Sequence, residues 1–132
     1  MCEEIDLAKQ WLAKADNDLL NADNNLSSEK IPFDTICFHC QQAAEKMLKS
    51  YLVANNRSYP VTHDLLLVLE HILSLDPEAE QLRDHLALLT PYAVEVRYPD
   101  DFYMPAAEDA DEARQAVAAI LNWLRVSCPA IF

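Results

Sequence analysis

The chain has 132 residues, of which 52% are hydrophobic, with 22 acidic residues against 10 basic ones and no glycine. Average usage of about 7% would give roughly nine glycines; without them a phosphate-cradling P-loop or a dinucleotide fingerprint is excluded, because both need positive φ and close approach of the backbone to phosphate. The formal net charge of −12 excludes sequence-independent, non-specific DNA binding, which is driven by Lys and Arg displacing counterions.

The start, MCEEIDLAKQ, is acidic and lacks the apolar run of a signal peptide. The longest strongly apolar stretch, Leu65 to Leu69, is too short to span a bilayer. The expectation is a cytoplasmic, single-domain protein with no membrane association, whose cysteines (Cys2, Cys37, Cys40 and Cys128) are reduced thiols.

Five segments carry helical periodicity and none carries sustained strand alternation. Ala8, Trp11/Leu12, Ala15, Leu19, Ala22 and Leu26 predict an amphipathic helix from about Ile5 to Leu26. The second helix is predicted from Phe33 to Ala54, with Ile36/Cys37, Cys40, Ala43/Ala44, Met47/Leu48 and Tyr51/Leu52 as its apolar stripe. It also has a polar stripe, because His39, Gln42, Lys46 and Lys49 follow at steps of three, four and three and line up along the surface. Thr62 is the expected N-cap of a third helix with Asp64 in its first turn, and Leu65 to Leu69, Ile72 and Leu73 should be buried on nearly all sides. Asp76-Pro77-Glu78 opens a fourth helix, in which Pro91 should bend the chain or end the helix near Thr90. Arg97 to Pro105, RYPDDFYMP, is irregular, and a fifth helix runs from about Ala106 to Val126 with Ala110, Ala113, Val117, Ile120 and Leu124 inside. The expected architecture is all-α, an up-and-down bundle of four to five helices.

Cys37-Phe38-His39-Cys40 has CxxC spacing, but no second ligand pair at finger spacing accompanies it and both cysteines lie on the apolar stripe, so core packing is the expectation. No metal or cofactor is called for. The histidines at 39, 63, 71 and 85 contain no i,i+4 pair; His39 on the polar stripe and His63 at a helix N-terminus are the candidates for function. Lys46, Lys49 and Arg97 offer a local positive site for a phosphate in an otherwise acidic chain. The plainer alternative has Arg97 capping helix four and pairing with Asp100 or Asp101.

Trp11 with Ala15, Asp18-Leu19 and Ala22, then FHCQQAAEKMLKSYL (Phe38 to Leu52), Thr62-His63-Asp64-Leu65 and Arg97-Tyr98-Pro99-Asp100 together resemble the HEPN domain (higher eukaryotes and prokaryotes nucleotide-binding), from about Leu7 to Arg125. The resemblance implies a helical bundle that forms a homodimer and is often encoded beside a minimal nucleotidyltransferase in toxin–antitoxin modules. Many such domains are metal-independent endoribonucleases, whose motif places a His a few residues after an Arg at the dimer interface. Here Arg97 matches, but the permitted positions hold Phe102, Tyr103 and Met104, and no histidine follows His85. A phenol with a reference pKa of about 10 is a poor substitute for imidazole as base and acid, so the usual ribonuclease activity is not expected.

Carried over position by position, the resemblance assigns binding roles to Gln42, Glu45, Lys46, Lys49, His63, Arg97, Tyr98 and Asp100; His39 joins them from the polar stripe. The expected function is a dimeric module that binds a nucleotide, RNA or a nucleotidyltransferase partner. The alternatives are a divergent metal-independent endoribonuclease using His39 or His63, and a purely structural assembly protein.

Overall fold

In the computed structural model, which describes residues 3–93 and 104–132, the helices are α1 (Glu3–Leu26), α2 (Phe33–Ala54), α3 (Leu65–Leu73), α4 (Arg83–Leu89) and α5 (Ala107–Ser127). No strand occurs among the described residues. Short 3₁₀-helices precede and follow α4, at Pro77–Leu82 and Thr90–Ala93, and another ends the chain at Pro129–Ile131. The structure is the all-α bundle that the periodicity predicts.

Helix α2 is the axis. Ile36, Cys37, Cys40, Ala43, Ala44, Met47, Leu48 and Leu52 have no exposed surface, so the whole predicted apolar stripe is in the core. Small side chains at Ala43 and Ala44 meet Ala8, Ala15 and Ala22 of α1 in the same buried cluster, and helices with alanines at their contact approach closely. Helix α5 packs on α2 as well, burying Ala110, Ala113, Val117, Ile120 and Leu124 as its spacing predicts, together with Ala116 and Trp123. Burying one such large aliphatic side chain is worth about 1.5–3 kcal/mol.

The missing glycines leave a visible mark at the end of α2. Asn56 takes φ 56°, its N–H donates to the Val53 carbonyl, and the Arg57 N–H donates to the Leu52 carbonyl at 2.8 Å. Those bonds form a Schellman motif, in which asparagine replaces the usual glycine because its short polar side chain tolerates the left-handed region.

Several local expectations need correction. Asp64, not Thr62, is the N-cap of α3: its carboxylate accepts from the Leu66 N–H at 3.0 Å, and the Thr62 hydroxyl accepts from the Asp64 N–H. Carboxylate and hydroxyl compete for the same role, and the one nearer the first helical turn takes it. Helix α3 is not buried all round; Leu65, Val68, Leu69 and Ile72 face the core while Leu67 is 49% exposed. The fourth segment opens as a 3₁₀-helix rather than an α-helix, although Asp76 caps it through the Glu78 N–H as expected. The α-helical geometry of α4 does end at Leu89, beside Thr90, as Pro91 predicts.

Cys37 and Cys40 are core residues and free thiols. Burial pushes their pKa values up to about 11 and about 12 respectively, so both stay protonated and unreactive at neutral pH.

Candidate functional site

The polar stripe of α2 lies along its seam with α1, at positions only partly exposed to solvent. Two carboxylates organise it. Asp18 projects from the inner face of α1, with 6% of its surface exposed; its Oδ1 is 2.9 Å from His39 Nδ1 and its Oδ2 accepts from Lys46 Nζ at 2.5 Å. Glu45, 3% exposed, accepts from Lys49 Nζ at 3.0 Å through Oε2, while its Oε1 lies 2.8 Å from His63 Nδ1.

The buried amide of Gln41 braces this second cluster, its Nε2 donating to Glu45 Oε1 at 3.4 Å and to the His63 carbonyl at 3.3 Å. Gln42 donates in turn to Gln41 Oε1 at 2.6 Å. His63 comes from the loop before α3, so the Gln41 and Glu45 bonds tie that loop to α2.

An ionised carboxylate only accepts, so each imidazole carries its proton on Nδ1. Nε2 of the neutral ring is then a lone-pair acceptor, and neither His39 nor His63 has a partner for it among the described residues. With neutral imidazoles the two carboxylates and two ammonium groups sum to zero charge. Burial works to raise the Glu45 pKa, but the hydrogen bonds of His63 and Lys49 and the lysine's charge outweigh it and hold the carboxyl below its ordinary value of 4.5.

The two lysines are not equivalent. Lys49 Nζ lies 4.9 Å from the ring centroid of Tyr59 and 5.2 Å from that of Trp11, and those rings meet edge to face at 5.8 Å. Its ammonium is held by a carboxylate and two aromatic faces. Lys46 has one carboxylate contact and leaves further N–H donors of its ammonium unassigned. His63 is the most open member, with 67% of its side chain exposed.

The structure therefore brings His39, Gln42, Glu45, Lys46, Lys49 and His63 to one seam. Arg97, Tyr98 and Asp100 lie outside the described residues. The Thr90 hydroxyl accepts from the N–H of Leu65, two residues after His63, at 3.3 Å. Asp18, Gln41, Trp11 and Tyr59 belong to the site although sequence reasoning gave them no role in it. Asp18 had a signal, since it continues the Ala8, Leu12, Ala15, Ala22 stripe and so puts a carboxylate on the inner face of α1. Tyr59 had none, because a loop residue carries no periodicity.

The HEPN domain model matches residues 8–127, which spans α2, α3, α4 and α5 entirely and α1 from Ala8 onward. No curated protein and no solved structure matches the chain.

Proposed function

The chain belongs to the HEPN domain family, and from that footing we propose that it is a binding module for a ribonucleotide or an RNA end, seated on the α1–α2 seam. The observation that carries this reading is the pair of buried carboxylates, each holding one lysine and one imidazole in place. Held this way, the seam offers ammonium donors for a phosphate and Nε2 acceptors for a hydroxyl. That mixture suits a ribonucleotide, which carries both groups, better than a bare phosphate. His39, Gln42, Lys46 and His63 form the ligand-facing row; Glu45 and Lys49 brace it. The family resemblance adds Arg97, Tyr98 and Asp100 as further contacts. Homodimerisation and a minimal nucleotidyltransferase partner in a toxin–antitoxin-like pair belong to the same proposal.

Calorimetric titration with a ribonucleoside monophosphate should give saturable heat that Lys46→Ala and His63→Ala each reduce at least about tenfold in affinity, the size of one lost charge-assisted contact. Unchanged heats in both variants would remove this site.

A second reading, RNA cleavage, is favoured by one specific feature: carboxylate-bound imidazoles with lone-pair Nε2 atoms are suited to take a proton from a 2′-hydroxyl. Incubation with RNA in EDTA separates it from binding alone. Cleavage lost in His39→Ala or His63→Ala supports it, and intact RNA ends it.

A further inference from the structure

The flank of α1 that faces α5 carries a different surface. Along α5, Ala107, Asp111, Arg114, Ala118 and Leu121 line an open groove, at steps of four, three, four and three; Leu19, Asp23 and Leu26 of α1 line its other wall, at steps of four and three. Side chains at that spacing fall on one line of a helix and form the seam of a coiled coil when a further helix fills it. Both α1 and α5 pack on α2, and across the groove Arg114 reaches Asp23 at 2.6 Å. Two cavities of about 350 and 370 Å³ share Asp111 and Arg114 and so form one trough. Ala107 to Leu121 spans about 21 Å at the α-helical rise, the length of four turns. Ala107 and Ala118 are small and exposed, and Leu19 and Leu121 are only partly buried, so the trough has an apolar lining and room for side chains from outside.

Its charge selects the occupant. Arg114 is engaged by Asp23, while Glu108 and Asp111, both exposed, have no ion-pair partner among the described residues. We propose that this groove is the docking site for a basic amphipathic helix of a partner protein, which lays leucine-like side chains between Leu19 and Leu121 and sets Lys or Arg against Glu108 and Asp111. A second copy of this chain fits less well, since it would bring its own acidic groove and a net charge of −12 against the same rim. The inference does not rest on the nucleotide reading, because no residue is shared between the groove and the α1–α2 seam.

The test uses the full chain and a fluorescently labelled helical peptide of about five turns, with leucines at alternating steps of three and four flanked by lysines. Anisotropy should show saturable binding that Ala118→Lys, which fills and charges the groove, weakens at least about tenfold. Asp111→Lys should weaken it too. Asp6→Lys, which makes the same charge change about 20 Å away along α1, should leave it nearly unchanged, and a peptide with serines in place of leucines should not bind. Ala118 is exposed, and a helical circular-dichroism melt like the parent's shows that the variant folds. The proposal is overturned by no binding, by equal binding of the serine peptide or the Ala118→Lys protein, or by a parent dimer that Ala118→Lys converts to monomer, which would give the groove to a second copy.

Discussion

Glu45 shows how one buried side chain fixes the behaviour of its neighbours. Three separate groups meet its carboxylate, from Gln41, Lys49 and His63. An uncompensated buried charge is costly, and a paired, hydrogen-bonded one is tolerated. Its folded pKa lies below the ordinary 4.5, against the pull of burial. A group with a depressed folded pKa contributes stability that is fully present above its unfolded value and lost as pH falls through the folded value. Urea unfolding from about pH 7 down to about pH 3 should therefore show the parent more stable than Glu45→Gln at neutral pH. The gap should close below about pH 4.5, and a gap independent of pH would contradict the assignment. Asp18 likewise holds His39 and Lys46 by direct bonds to its carboxylate. The legibility of the site differed between these two acids. Glu45 came with the family resemblance of the Phe38 to Leu52 block, whereas the groups that Asp18 satisfies are on another helix, a relation that spacing along one chain does not reveal.

At the scale of elements, the long helices were legible because each keeps its apolar spacing for about four turns or more. The predicted and observed bounds of α2 agree at both ends, Phe33 and Ala54. The short elements were less so. Around Thr62 to Leu65 and Asp76 to Leu82, a few capping bonds decide between turn, 3₁₀ and α geometry, and tertiary partners tip the balance. Asp76 is the clearest case. Sequence alone marks it as a cap, and the structure adds that its Oδ2 accepts from Trp123 Nε1 at 2.8 Å and from the Ser127 hydroxyl at 3.2 Å. One carboxylate thus starts the 3₁₀-helix and anchors the last turns of α5. Asp76→Ala should cost about 2 kcal/mol, the sum of a lost cap and lost charge-assisted bonds, while Asp76→Asn, which can still cap, should cost less. Urea midpoints measure both: an Asp76→Asn protein as stable as the parent would leave the carboxylate without its bridging role, and equal losses in the two variants would leave it without its capping role.

For the whole molecule, the absence of glycine and the excess of acid pull in one direction. A chain without glycine has no glycine-rich loop to cradle a phosphate, and a chain with a formal charge of −12 repels a polyanion at long range. In the proposed site a phosphorylated ligand is met by side chains of α2 and of the loop that carries His63, and Lys46 and Lys49 there are balanced by buried carboxylates. On the proposed reading, recognition is local and geometric, and it depends on the α1–α2 seam keeping Asp18 and Glu45 in place. The most direct measurement is side-chain NMR of His39, His63 and Lys46 during addition of a ribonucleoside monophosphate to the full chain. Saturating shifts at those three side chains, absent with inorganic phosphate at equal concentration and lost in Asp18→Asn, are the predicted result; a seam that stays silent while shifts appear elsewhere would contradict it.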